Sequence, residues 1–124
     1  MAKEAYKNRI KTVQKLKFNF LVKDYIKTPL KKKFEIVISS GALNSNLTDP
    51  VRYRRRAIKI LWDHTKEQLA FNMAGGFPQP ENKESNRVFY VNSMEILEFC
   101  LTLTSKTIFR HHYRTRDFTI IMFR

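Results

Sequence analysis

Four arginines within five positions carry the clearest chemical signal in this sequence. They follow the stretch TDP at 48–50, which is typical of a helix start with a capping side chain and a first-turn proline. A cation in the first turn of a helix is disfavoured by about 0.3–1 kcal/mol, because the helix dipole is positive there. A bound phosphate removes this penalty, since backbone N–H groups and guanidinium groups then contact the same anion. The cluster therefore predicts phosphate contact by Arg52, Arg55 and Arg56, with a solvated or internally ion-paired helix face as the alternative. Arg54 alone falls toward the apolar side of the helix, from which its long side chain could reach out past the core.

A second basic segment lies at 107–124, where cations and aromatic rings alternate around HHYR at 111–114. Single-stranded nucleic acid needs both kinds of side chain, because cations bind its backbone and rings stack on its bases. On a strand, Arg110 and Arg114 share one face and Tyr113 lies on the other. The exposed lysines before residue 34 add diffuse attraction to a phosphate backbone. The predicted nucleic-acid-binding residues are Arg52, Arg55, Arg56, Lys59, Arg110, Arg114, Arg116, Lys31, Lys32, Lys33 and Tyr113.

The three histidines are the remaining candidates for chemistry. His64 with His111 or His112 could act as general acid and base in RNA cleavage. Neighbouring residues on a strand point to opposite faces, so His111 and His112 are not expected to act on one substrate atom. Ordinary polar positions are the favoured interpretation, and no catalytic residue is predicted.

No motif of a cofactor or metal enzyme is present in the sequence. Three glycines form neither a P-loop nor a dinucleotide-binding fingerprint. One cysteine and three histidines cannot make an ordinary closed zinc site without carboxylates. No carboxylate pair has the spacing of a two-metal nuclease. We therefore predict no cofactor, no metal and no enzymatic activity.

The formal charge of +13 is the strongest feature of the composition, with 24 Lys and Arg against 11 Asp and Glu. Such an imbalance weakens the compact state through self-repulsion, so it indicates an anionic partner. Nucleic acid, an acidic protein and an anionic membrane surface are the candidates. The membrane is disfavoured, because the amphipathic segment at 3–16 has only a thin apolar stripe.

The elements that position these residues are predicted to form one α+β domain, residues 1–124, with a mainly antiparallel sheet. Helical and alternating periodicities give the expected elements. They are a basic N-terminal helix or arm (1–15), strands at 16–22, 34–40 and 87–91, one long amphipathic helix (50–73), a mobile loop (74–86) and a hairpin over 107–124. The segment 93–105 fits a third, short helix or a strand, and the helix is favoured because Asn92 and Glu95 resemble a capping box.

These features predict a small, non-enzymatic nucleic-acid-binding protein that prefers single strands, DNA or RNA, without sequence specificity. Its composition suits a phage, viral or plasmid origin. The alternatives are a ribonuclease or toxin that uses the histidines, and an inhibitor that docks on an acidic host protein. A homo-oligomer could form through an exposed sheet edge. One cysteine and the lack of a secretory or membrane-spanning segment predict a cytoplasmic protein, or a nuclear one in a eukaryotic host.

Overall fold

The computed structural model describes residues 19–124, which form one mixed sheet with two helices. The elements in chain order are β1 (Phe34–Ser39), α1 (Pro50–Asp63), β2 (Thr65–Gly76), β3 (Val91–Asn92), α2 (Ser93–Leu103), β4 (Thr107–Arg110) and β5 (Asp117–Phe123). The predicted basic helix at 1–15 lies outside the described residues. Of the strand predicted at 16–22, only residues 19–22 are described, and they form no strand.

The sheet has the order β1-β2-β5-β4, with β3 paired to the end of β2. β1 and β3 run parallel to β2, whereas β5 runs antiparallel to both β2 and β4. β1, β2 and β4 therefore end at one side of the sheet, where β5 begins. We call this side the carboxyl edge. The prediction of a mainly antiparallel sheet is wrong, because the two crossover helices connect strands that run in the same direction.

α1 begins as its sequence predicts and ends ten residues earlier than predicted. The side chain of Asp49 caps the helix by accepting from the Arg52 backbone N–H at 3.2 Å, and Pro50 occupies the first turn. The helix ends at Asp63, with His64 at the C-cap. The predicted continuation to residue 73 is wrong, and β2 occupies 65–76 instead.

The helix predicted over β2 is explained by the spacing of its apolar residues. Leu69 and Met73 are four residues apart, a spacing that satisfies a helical stripe and an alternating strand equally well. Phe71 decides between them, since all three side chains lie on one buried face of the strand. That face belongs to the core, which combines residues of α1, α2, β2 and β5: Ala57, Ile58, Leu61, Trp62, Leu69, Phe71, Met73, Ile96, Cys100, Phe118, Ile120 and Met122.

The segment 93–105 is helical over Ser93–Leu103, and the predicted cap is present: the Asn92 side chain accepts from the Met94 N–H at 3.0 Å. The strand predicted at 87–91 does not form over its full length. Val91 begins the two-residue strand β3, and Val88 forms an isolated bridge with Ser45. The loop predicted to begin at residue 74 begins after Gly76, where β2 ends.

The terminal hairpin forms, with β4 antiparallel to β5. β4 ends at Arg110, so residues 111–116 form the connecting turn and do not continue the strand. The two faces predicted for 111–114 therefore do not exist, because a turn does not alternate its side chains across a sheet. Among residues 19–124, neither helix has the length and apolar character needed to span a membrane.

Candidate functional site at the carboxyl edge

The carboxyl edge gathers the polar and basic loops of the fold. Ligands of open α/β sheets bind outside the carboxyl ends of the strands, because loops from several strands converge there. Two adjacent grooves open at this edge. A groove of about 360 Å³ lies between Asn44, Val88, Tyr90 and the turn 114–117. A groove of about 480 Å³ lies between Gly75–Pro78 and the turn residues from His111 onward.

The loop after β1 is tied to β2 by two asparagines. Asn72 accepts from the Gly41 N–H at 2.7 Å and donates to Ser40 Oγ at 3.2 Å. Asn44 accepts from the Ala74 N–H at 2.9 Å. These bonds fix the start of the loop beside a longer groove of about 620 Å³ that runs along β1.

Gly75 lets β3 approach the end of β2 closely. Its φ is +159°, and a Cβ built on it would overlap the carbonyl oxygen of Val91 and lie 2.7 Å from that residue's Cγ2. The Gly75 N–H donates to the carbonyl oxygen of Arg116 at 2.9 Å, which holds the hairpin turn against β2. A side chain at this position would therefore separate the elements that form both grooves.

The hairpin turn presents cations and rings at the groove rim. Arg116 lies over the ring of Tyr90 at 5.4 Å, and Arg114 forms an ion pair with Asp117 at 3.3 Å. The exposed Tyr113 shares a hydrogen bond of 2.8 Å with the Thr119 hydroxyl. The structure thus brings four predicted binding residues together at the carboxyl edge: Arg110, Tyr113, Arg114 and Arg116.

The arginines of α1 lie in different environments. Arg52 and Arg56 are exposed and line a groove together with Asp49 and Tyr53. Arg55 lies 5.9 Å from the ring centre of Phe99 on α2. Among residues 19–124, the ion pairs are Lys59–Asp63, Lys66–Glu35 and Arg114–Asp117. The exposed arginines of α1 therefore have no carboxylate partner within the described part of the chain.

Arg54 is a structural residue, buried completely at the start of α1. Its guanidinium donates to the carbonyl oxygens of Pro50, Ser45 and Phe89 at 2.9, 3.2 and 3.1 Å. Burial lowers its pKa from the usual range. It joins the helix to the loop that follows β1 and to the segment that precedes β3, as expected for an arginine on the apolar side of the helix.

The remaining predicted cations lie away from the carboxyl edge. Lys31, Lys32 and Lys33 are exposed directly before β1 begins, so they lie at the opposite side of the sheet. Lys59 is near the carboxyl end of α1 and pairs with Asp63. The predicted binding residues therefore do not form one continuous surface.

The histidine pair required for RNA cleavage does not form. His64 lies between α1 and β2, where its Nδ1 is 2.7 Å from the carbonyl oxygen of Ile60. His111 and His112 lie in the turn after β4, at the other end of the strands. At about 3.3 Å per strand residue, this separation is roughly 30 Å. No group of His, Cys, Asp or Glu suited to a metal ion occurs within residues 19–124.

Sequence reasoning missed the residues that build this edge: Asn44, Asn72, Gly75 and Tyr90. A strand assignment for 65–76 would have placed GG at 75–76 at its end, where glycine indicates a close backbone approach. The two asparagines act through contacts about thirty residues apart in sequence, which no local pattern encodes.

Neither a protein-family model nor a curated protein matches this sequence. Solved structures do match its fold. Magnesium protoporphyrin IX methyltransferase from Synechocystis, with bound SAH, superposes with a TM-score of 0.65 at 14% identity over 100% of this chain and 59% of its own. At this level of identity the match shows the fold alone, which is Rossmann-like.

Two further structures agree. An S-adenosylmethionine-dependent methyltransferase from Clostridium acetobutylicum has a TM-score of 0.59 at 10% identity, and covers 95% of this chain and 69% of its own. An rRNA methylase from Streptococcus thermophilus has a TM-score of 0.54 at 13% identity, and covers 99% of this chain and 69% of its own. The 124 residues thus span about three fifths of the Synechocystis enzyme.

These matches overturn the functional prediction. The chain was predicted to be a non-enzymatic, non-specific nucleic-acid-binding protein of phage, viral or plasmid type, and all three matched structures are methyltransferases. The prediction failed because charge and exposed rings describe a surface and do not identify a reaction.

Proposed function

We propose that this chain takes part in methyl transfer from S-adenosylmethionine, with the acceptor bound at the carboxyl edge. The observation that carries the proposal is the strand order β1-β2-β5-β4 with a carboxyl edge, in a fold shared with three methyltransferases. When bound, the donor supplies an electrophilic methyl group on a sulfonium. The chain's own residues bind the reactants, orient them and accept a proton.

The residues after β1 fit one side of such a donor. Ser39 and Ser40 offer hydroxyl groups, and Asn72 holds Ser40 and Gly41 in place. The groove beside them is largely apolar, with Leu43 and Tyr53 in its lining. Hydroxyl groups suit the polar ends of the donor, and apolar side chains suit its adenine ring. These residues form one wall of the proposed donor site.

The donor test is the binding of S-adenosylhomocysteine, measured by calorimetry on protein purified from its native host so that any bound partner is retained. Asn72→Ala frees the loop after β1, so we expect affinity to fall at least tenfold. Asn19→Ala, at an exposed position outside the sheet, is the matched control and should bind like the wild type. Absence of binding at millimolar ligand would overturn the proposal.

For the acceptor, we propose a nucleic acid, and RNA in particular. The rRNA methylase among the matched structures supports this class. So does the exposed Arg116 in the lining of the smaller groove, since it has no ion-pair partner among the described residues. Arg110 is exposed nearby, at the end of β4. A base can stack on an exposed ring such as Phe77 while guanidinium groups contact the phosphates. His111 or His112 can accept the proton that the acceptor atom loses.

The acceptor test is transfer of a radiolabelled methyl group to total RNA, single-stranded DNA or a porphyrin dicarboxylate. Methylated RNA is the expected product. Arg116→Gln should lower the yield of labelled RNA about tenfold at fixed salt. Lys27→Gln, at an exposed lysine before β1, should leave the yield unchanged. Labelling of the porphyrin alone would exclude RNA as the acceptor, while the proposal of methyl transfer would still hold.

A further inference from the structure

The two grooves at the carboxyl edge share one wall, formed by the end of the hairpin turn. Arg114, Thr115 and Asp117 line both grooves, so a ligand in either groove can reach them. Among the described residues that line the two grooves, Asp117 is the only one with a carboxylate, and it lies beside Arg114 and Arg116. A carboxylate repels phosphate, so Asp117 has a different role in this site from that of the arginines.

The carboxylate of Asp117 is only half occupied. Its Oδ2 accepts from Nη1 of Arg114 at 3.3 Å, and no donor within residues 19–124 forms a hydrogen bond with its Oδ1. The side chain is 29% exposed. An ionised carboxylate is a hydrogen-bond acceptor only, so Oδ1 is open to an N–H or O–H donor of a ligand.

A second acceptor without a partner lies two residues earlier, on the backbone of Thr115. Its carbonyl oxygen is 3.0 Å from the position that a Cβ on Gly76 would occupy, so it lies against the end of β2. The neighbouring carbonyl oxygen, that of Arg116, accepts from the Gly75 N–H at 2.9 Å. The described part of the chain supplies no such donor to the carbonyl oxygen of Thr115.

The sheet holds these two acceptors in place beside a surface suited to a planar ring. Asp117 is the first residue of β5 and pairs with Ala74 of β2. The next two residues of β2, Gly75 and Gly76, are buried and bring no side chain into the larger groove. Phe77 follows them, is 70% exposed and lines the same groove as Asp117. Acceptors fixed by a strand pairing lose little freedom when a ligand binds, which favours recognition of a defined base edge.

Two neighbouring acceptors favour a base that offers two N–H donors on one atom. The exocyclic amino group of cytosine, adenine or guanine has two such donors, and a carboxylate commonly accepts from the amino group of cytosine. Uracil has a carbonyl oxygen where cytosine has its amino group. That oxygen would meet the carboxylate of Asp117 acceptor against acceptor, which costs free energy because neither group gains a hydrogen bond.

We propose that Asp117 is the specificity-determining residue of the acceptor groove, and that it selects a nucleobase with an exocyclic amino group. The Oδ1 of Asp117 and the carbonyl oxygen of Thr115 accept from the amino group, while the ring of Phe77 stacks on the base. The ion pair with Arg114 keeps the carboxylate charged and occupies its other oxygen. This inference rests on the proposed RNA acceptor, and it narrows that acceptor to unpaired bases whose edges are free.

The test compares fluorescent oligocytidine and oligouridine of equal length, with binding to the full chain measured by anisotropy at fixed salt and without a methyl donor. The two probes carry the same phosphate charge, so the electrostatic part of the affinity is equal and their ratio reports the base alone. We expect the wild type to bind oligocytidine at least fivefold more tightly than oligouridine.

Variants of Asp117 assign this preference to its carboxylate. Asp117→Ala should bring the ratio of the two affinities close to one. Asp117→Asn keeps the shape of the side chain and adds an amide donor for the uracil oxygen, so it should also lose the preference while binding oligouridine more tightly. Glu98→Ala is the matched control, because it removes a carboxylate from an exposed position of α2 outside both grooves, and it should keep the wild-type ratio.

Circular dichroism establishes that each variant is folded, and Asp117→Asn decides the test if Asp117→Ala does not fold. Equal binding of the two probes by the wild type, an unchanged preference in the folded Asp117 variants, or no binding of either probe would each overturn the inference. None of these results depends on binding of S-adenosylhomocysteine, which tests methyl transfer separately. The base preference and the reaction can therefore fail independently of each other.

Discussion

The guanidinium of Arg54 donates to the carbonyl oxygen of Phe89 at 3.1 Å and lies 5.5 Å from the centre of that residue's ring. This contact joins the second turn of α1 to the segment that precedes β3. Arg54 also donates to carbonyl oxygens on two other parts of the chain. One buried side chain thus holds together the backbone around the carboxyl edge.

Removal of this side chain should destabilise the fold strongly. Arg54→Ala leaves three carbonyl oxygens without their donor and opens a cavity, so we expect a loss of about 3–5 kcal/mol in the free energy of unfolding. Arg55→Ala changes an exposed neighbour and should cost less than about 0.5 kcal/mol. Urea unfolding followed by circular dichroism measures both, and equal losses would contradict the assigned role.

Gly75 should be intolerant of any side chain. Gly75→Ala places a methyl group against the carbonyl oxygen and Cγ2 of Val91, and we expect a loss of about 2–4 kcal/mol. Gly41→Ala is the comparison, since nothing lies within 4 Å of its Cβ position while its φ is +68°. That variant should lose about 1 kcal/mol from backbone strain alone. Thermal unfolding measures the loss of stability in both variants. The excess loss in Gly75→Ala over Gly41→Ala reports the steric overlap with Val91.

Cys100 should make stability depend on alkaline pH. Burial raises the pKa of its thiol to about 12, against about 8.5 for a free cysteine. Above pH 8.5 the unfolded chain loses this proton while the folded chain keeps it, so stability falls as the pH rises toward 12. The urea concentration at the unfolding midpoint should therefore fall between pH 8 and pH 10.5, and it should fall more for the wild type than for Cys100→Ala. The thiol should also react with an aromatic disulfide reagent only after unfolding.

Arg124 should control the environment of the single tryptophan. Its guanidinium lies 4.0 Å from the ring centre of Trp62 and donates to that residue's carbonyl oxygen at 2.6 Å. Arg124→Ala should cost about 1–3 kcal/mol and shift the fluorescence emission of Trp62 to longer wavelength, because water replaces the guanidinium. Arg87→Ala, at an exposed arginine, should leave the emission unchanged.

The local signals in the sequence were read correctly where they act within a few residues. Asp49 caps α1, Asn92 caps α2, and the terminal hairpin forms between β4 and β5. Each depends on a short-range hydrogen bond or on alternation over neighbouring positions, which a single sequence displays directly.

The errors arose where partners are distant in sequence. The parallel pairing of β1 with β2 requires a crossover through α1, and nothing in FEIVIS specifies the direction of its neighbour. The burial of Arg54 depends on carbonyl groups from three separate segments. Helical periodicity placed that residue on the apolar side of α1, but it gave no indication of which carbonyl groups would accept from its guanidinium.

The position of β5 has a consequence for synthesis of the chain. β5 follows every other strand in sequence, yet it lies between β2 and β4 in the sheet. While the ribosome is still translating residues 111–123, β4 has no neighbour and β2 has one side unpaired. The sheet therefore remains incomplete until β5 leaves the exit tunnel, and during that interval its exposed strands are open to chaperones and to aggregation.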